Sequence, residues 1–276
     1  MADKSKISWT ESTWNPILGC AKVSAGCDNC YAIRDAHRMR SNPNEKVAAA
    51  YEGLTVVQNG RPNWSGKVRY LPERLDQPLR WKRPRRIFVN SMSDIAHEDV
   101  SQEAFNAILD MMLKADWHTY QVLTKRPERL LRLLEPVLLR ADLPDEILPP
   151  HIWLGVSVEN VKAMERIPPM MQFPSHVAWL SLEPLLEPLP NLPLDGINWV
   201  VIGGESGTLN GAHRARPMAE QWVEDILGQC RRARVAAYVK QLGTQWAARY
   251  ESGHRAGADP AEWPEWLRVR EYPENK

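Results

Sequence analysis

At 276 residues and 43% hydrophobic composition, the chain can bury a substantial core, as one α/β domain or two smaller ones. Its 35 Lys and Arg balance 34 Asp and Glu to a formal net charge of +1, so overall charge selects no nucleic-acid partner, and any such contact must come from local patches. No run approaches the length needed to span a bilayer and MADKSKISWT lacks the apolar core of a secretory signal, which argues against a membrane partner and predicts a cytoplasmic protein.

The first feature along the chain is the tryptophan-rich run ISWTESTWNP, followed at once by GCAKVSAGCDNCY. Three of the four cysteines, Cys20, Cys27 and Cys30, fall here. In a reducing compartment such a cluster is better explained by metal or redox chemistry than by disulfides. Six residues separate Cys20 from Cys27 and two separate Cys27 from Cys30. The shorter spacer lets neighbouring thiolates face one metal centre, while Gly19 and Gly26 permit a tight loop. Three thiolates suit a four-iron cluster with one iron left open. A structural zinc needs a fourth ligand, which His37 could supply from the helix expected after Tyr31. A redox dithiol of Cys27 and Cys30 would leave Cys20 without a role. Cys230, inside a later helical pattern, reads as an ordinary buried cysteine.

The segment from Ser41 to Pro72 fits no regular pattern and reads as an insertion. Beyond it, apolar runs of buried-strand length recur: RIFVN (86–90), TYQVLT (119–124), HIWLGVSV (151–158), HVAWLSLEP (176–184), INWVVIGGE (197–205) and AAYVKQLG (236–243). Helical patterns lie between several of them. The stretch 100–116 places Phe105, Ile108, Leu109 and Met112 on one face, with Ser101 as N-cap. The stretch 217–235 does the same with Trp222, Val223, Ile226 and Leu227, and Pro217 is the expected first helical residue. Residues 128–139 and 161–171 read as helices interrupted by Pro136 and by Pro168 and Pro169. This alternation predicts an α/β fold with a parallel sheet wound by helices, a complete or partial β/α barrel, with an open doubly wound sheet as the alternative. One domain is expected over 1–251, with the insertion around 41–72. A tail over 252–276, rich in Glu, Pro and Trp, either packs on the domain or stays partly mobile.

The strand-like runs repeatedly release polar residues at their C-terminal ends, the edge that carries ligand and catalytic groups in β/α folds. Asn90, Ser91, Ser93 and Asp94 could hold ribose hydroxyls or substrate, or cap the next helix. Thr124, Lys125 and Arg126 could neutralise a carboxylate or phosphate. Ser157, Glu159, Glu183, Lys240 and Gln241 complete an expected polar cavity, although each carboxylate has a competing role as partner of a neighbouring Arg.

WTESTWNPILGCAKVSAGCDNCYA, LPERLDQPLRWKRPRRIFVNSMSDIAHEDV, VLTKRPERL, WLGVSVEN, SLEPLL, VIGGESG and KQLG together resemble the phage and prophage three-cysteine-motif proteins related to radical S-adenosylmethionine enzymes. The resemblance covers roughly Ile7 to Gly243. It implies a barrel-like fold, a four-iron four-sulfur cluster held by Cys20, Cys27 and Cys30, and reductive cleavage of S-adenosylmethionine by way of an electron donor. The first cysteine gap is longer than the superfamily's usual three residues, and Asn29 stands where an aromatic often precedes the last cysteine. Gly203, Gly204, Glu205 and Ser206 resemble the superfamily segment that contacts the methionine part of the cofactor, and they also suit a plain strand-end turn. The expected target is a nucleic acid, a nucleotide, or a phage or host protein. WKRPRR (81–86) and HRAR (213–216) could contact phosphates. Trp153, Trp179 and Trp199 begin apolar strands, where packing is the commoner role. The alternative function is a nucleic-acid- or partner-binding module with structural zinc or a redox-sensing metal.

Overall fold

A computed structural model describes residues 4–140 and 143–274. Its regular elements begin with β1 (Ser12–Trp14), β2 (Ile17–Leu18), α1 (Tyr31–Met39), α2 (Glu45–Tyr51), β3 (Thr55–Gln58), β4 (Arg61–Trp64), β5 (Arg69–Tyr70) and α3 (Gln77–Arg80). The alternating part follows as β6 (Arg86–Val89), α4 (Gln102–Lys114), β7 (Thr119–Thr124), α5 (Pro127–Arg140), β8 (Ile152–Ser157) and α6 (Ile167–Met170). It ends with β9 (Ala178–Leu182), β10 (Trp199–Gly203), α7 (Glu220–Ala233), β11 (Ala236–Gln241) and α8 (Thr244–Arg249). The six apolar runs are β6 to β11. Seven strands hydrogen-bond in the order β1-β6-β7-β8-β9-β10-β11. That order ascends without the reversal that marks a doubly wound sheet, and it is compatible with a partial β/α barrel.

The chain divides into two compact units. The first takes the chain up to Val23, Cys30–Gly155 and Gln172–His176. Here β1 pairs in parallel with β6, and β6 with β7, in a register that sets Trp14 against Val89 and Val89 against Val122. The helix after β6 buries Phe105, Ile108, Leu109 and Met112, and Ser101 caps it by accepting a 3.2 Å hydrogen bond from the Ala104 amide. Pro136 does not break α5, because buried Leu130, Leu133, Leu134 and Val137 hold the helix on an apolar stripe through the proline. The expected insertion is regular: α2, a β3–β4 hairpin turning at Asn59 and Gly60, and β5 antiparallel to β2. Both turn residues have positive φ, 50° and 72°, as a two-residue hairpin requires.

The second unit takes Ser24–Asn29, Val156–Met171 and the chain from Val177 onward. In it β9, β10 and β11 pair in parallel. The buried rings of Trp179 and Trp199 lie 5.3 Å apart, and Tyr272 stacks on Trp199 at 5.5 Å, so these tryptophans pack the core. Residues 161–171 form a 3-10 turn over Lys162–Arg166 that runs into the short α6. Helix α7 starts at Glu220, not at Pro217: the Arg216 amide is committed to the Glu205 carboxylate at 2.7 Å, and Ala219 remains extended. The tail packs. Val239 donates to the Val269 carbonyl at 2.8 Å and Glu271 to that of Ala237 at 2.9 Å, so residues 269–271 run along β11.

Two substitutions calibrate these elements. Ser101→Ala should cost about 1 kcal/mol through loss of the cap. Trp199→Ala should cost about 3–5 kcal/mol through loss of a fully buried ring. Urea unfolding of the full chain measures both, and equal losses would contradict the packing described.

Candidate functional site

In the first unit, the glycine before Cys20 fixes where the thiol lies. Gly19 adopts φ +88°, and a Cβ there would stand 2.2 Å from the Lys67 carbonyl oxygen. Its amide donates to the Met92 carbonyl at 3.1 Å and it bridges Ser93, which carries the chain alongside the loop after β6. Cys20 and Cys30 both pack, with Met92, against one apolar cluster that includes Leu18, Ile33, Leu54 and Trp64.

Asp94 organises that strand-end loop. Its Oδ1 accepts from the Thr124 hydroxyl at 2.7 Å and from the Ala96 amide at 3.0 Å. Its Oδ2 accepts from the Lys125 amide at 3.0 Å and from Arg126 Nη1 at 2.8 Å. Arg126 also donates to the Ala21 carbonyl at 3.2 Å and hydrogen-bonds the Cys20 side chain. Burial opposes its charge, but Asp94 and Cys20 outweigh that and raise its pKa above the ordinary guanidinium value. Ser91 donates to Asn15 Oδ1 at 3.2 Å and Ser93 to the Ile17 carbonyl at 2.9 Å, so both hydroxyls serve the loop itself.

Two buried polar side chains in this loop have atoms without a hydrogen-bond partner. Asn90, at φ 59°, pairs neither Oδ1 nor Nδ2. His97, which the sequence reading passed over, accepts from the Asp99 amide at Nδ1 (3.1 Å) and has no partner at Nε2. Burial and then Arg126 lower its pKa below the usual histidine value. A histidine three residues after Asp94 on a strand-end loop was the available signal.

In the second unit, the cysteine loop Ser24–Asn29 meets the ends of β8 and β10. Cys27 ends a single 3-10 turn, Ala25–Cys27. Glu205, 4% exposed, accepts from the Arg216 amide at 2.7 Å, from Arg216 Nε at 3.0 Å and from Arg216 Nη2. It also accepts from Asn29 Nδ2 at 3.0 Å. Burial pushes the Glu205 pKa up, but the hydrogen bonds from Arg216 and Asn29 prevail and hold it below the usual carboxylate value. Glu159 is buried against Arg166 Nη1 at 2.8 Å, and the same nitrogen donates to the Ser157 carbonyl at 2.8 Å.

The remaining candidates are held within the same unit. Glu183 pairs with Lys240 at 2.7 Å. Gln241 donates to the Gly204 carbonyl at 2.8 Å. A Cβ on Gly203 would stand 2.6 Å from Glu183 Oε1, and one on Gly204 2.4 Å from the Leu242 carbonyl oxygen. Gly204 is thus required by close packing against backbone, whereas at Gly203 the obstacle is the end of the Glu183 side chain. Ser206 is half-buried beside them.

Among the described residues, no cysteine is in a disulfide. Cys230 is buried, and burial pushes its thiol up to about 12, which makes it inert. His37 bonds Thr55 Oγ1 and Arg40 through its two ring nitrogens, both at 3.2 Å. Among the described residues, no group of three or more His, Cys, Asp or Glu side chains is arranged to hold a metal ion. In the basic runs, Arg85 lies over the Trp81 ring at 4.9 Å and donates to Ser12, and Arg216 is committed to Glu205. Lys82 and Arg83 are exposed. No helix among the described residues is long and apolar enough to cross a membrane.

Residues 4–266 match the family described as "Protein of unknown function (DUF5131)", and the chain belongs to it. No curated protein and no solved structure matches the chain.

Replacing Asp94 by Ala should cost about 3–5 kcal/mol, because it strips the buried Arg126 of its counter-charge. Asp94→Asn, which keeps the shape and loses the charge, should also destabilise. Urea unfolding that left Asp94→Ala within 0.5 kcal/mol of the parent, about the spread of ordinary surface changes, would remove Asp94 from its organising role.

Proposed function

We propose that the protein is an iron–sulfur protein in which Cys20, Cys27 and Cys30 hold a four-iron cluster for reductive cleavage of S-adenosylmethionine. The observation that supports this reading most is the placement of Cys20. A glycine that tolerates no side chain sets this thiol beside the polar loop at the C-terminal end of β6, the end of a parallel strand where ligands gather. The donor set fits such a group: three partly exposed thiols outside any disulfide, with a guanidinium beside Cys20 that stabilises negative charge on sulfur.

A bound cluster would supply one electron, drawn from an external donor, to break a carbon–sulfur bond of S-adenosylmethionine, giving methionine and a carbon radical that takes hydrogen from the substrate. The protein's own residues orient and neutralise. Arg126, locked by Asp94, holds positive charge at Cys20. Asn90 offers a buried amide donor and acceptor to a polar ligand such as a ribose or a base edge. The target is a nucleotide, a nucleic acid or a protein side chain, in a partial β/α barrel of the kind used by cofactor enzymes.

Purification without oxygen, followed by iron and sulfide analysis, tests the reading. The wild type should carry iron and sulfide in equal amounts. Cys20→Ala, Cys27→Ala and Cys30→Ala should each lose them, and Cys230→Ala should retain them. With a strong one-electron reductant and S-adenosylmethionine, the loaded protein should release deoxyadenosine. Stoichiometric zinc with no sulfide would overturn the proposal and favour a binding module.

A further inference from the structure

The loop that carries Cys27 is too short to hold itself. Its internal order consists of the Cys27 amide donating to the Ser24 carbonyl at 2.9 Å, the Asp28 amide donating to that of Ala25 at 3.2 Å and one weak contact of the Ser24 hydroxyl with the Cys27 thiol at 3.9 Å. Isolated turns of this size are unstable in water. The loop is instead gripped from residues distant in sequence, on both sides of the cysteine.

Before Cys27, Arg216 Nη2 donates to the Ala25 carbonyl at 2.9 Å, and Gly26 presses on the buried Glu159 so closely that a Cβ would stand 2.9 Å from its carboxyl carbon. After Cys27, Arg216 Nη1 approaches Asp28 at 3.4 Å, and Asn29 Nδ2 bonds both Glu205 and the Arg214 carbonyl, each at 3.0 Å. Glu205 is the hub: it receives three donors of Arg216 and one of Asn29 while almost fully buried. Bidentate, charge-assisted bonds of this kind fix orientation as well as energy. With four donors on two oxygens, the carboxylate has little capacity left for an incoming ammonium. The long gap between Cys20 and Cys27 also gains a physical reason, since two of its last residues, Ala25 and Gly26, make two of these five contacts.

We propose that Glu205 is a positioning residue which, through Arg216 and Asn29, fixes the Cys27 thiol for metal binding, and that it does not contact the cofactor. The metal part rests on the iron–sulfur reading; the anchoring of the loop does not. Groups that orient metal ligands from one step away typically cost 10–100-fold in metal affinity when removed.

The test has two arms. In metal-free full-length protein with Cys20, Cys30 and Cys230 replaced by Ser, a spin label on Cys27 should be strongly immobilised. Glu205→Gln and Arg216→Ala should free it, and Arg216→Lys should restore part of the restriction. In protein with all cysteines, Glu205→Gln should lower retained iron about 10-fold or more under chelator challenge. A label equally immobile in every variant overturns the proposal. So does a Glu205→Gln protein that keeps its iron and loses only affinity for S-adenosylmethionine. A freed label in protein that never binds iron would sink the iron–sulfur reading and leave the loop anchor standing. Should Glu205→Gln not fold, Asn29→Ala removes a single donor and must also mobilise the label.

Discussion

A carboxylate taken out of water needs a cation or several hydrogen bonds, because its desolvation costs several kcal/mol that packing alone does not return. The polar strand ends of this chain obey that constraint one after another. Asp94 is met by Arg126, Glu159 by Arg166, Glu183 by Lys240 and Glu205 by Arg216. In each pair one member lies at or just beyond the end of a strand, and the partner comes from the same compact unit. The loops that carry the candidate chemistry are shaped by these pairs, and so are the start of α7 and the path of the cysteine loop.

The pairs also explain which features were legible in the sequence. The six apolar strands, the face of α4 and, apart from half-buried Trp222, that of α7 were readable because burial imposes a period that survives in any context. Acid groups at the strand ends were readable as a class. Their individual roles were not, because whether a carboxylate faces a ligand or an arginine depends on residues far away in the chain. Arg216 lies 11 residues beyond Glu205 in a run read as a basic patch, and nothing local marks it as that carboxylate's partner.

Other departures have similarly physical origins. Strand β1 has three residues and shows no apolar alternation long enough to register, yet Trp14 at its end is fully buried. The 41–72 segment hid its hairpin because β3 buries only Thr55 and exposes Val56, Val57 and Gln58 in succession, so its apolar residues follow no period-two pattern. Pro217 looked like a helix start by its own preference, but a hydrogen bond to the preceding residue held the backbone extended for two residues more. In each case a tertiary contact overrode a local rule.

Residues 269–271 lie along β11, the terminal member of the strand order, where they occupy backbone groups that would otherwise face solvent. Arg270 holds this contact in place by stacking over Tyr238 at 5.4 Å and Trp263 at 5.2 Å. An open strand edge is a template on which a second chain can add, and natural sheets are selected against leaving one bare. The tail therefore acts as a guard against self-association. A chain ending near Ser252 would keep every candidate residue discussed above and still be prone to aggregate, edge to edge.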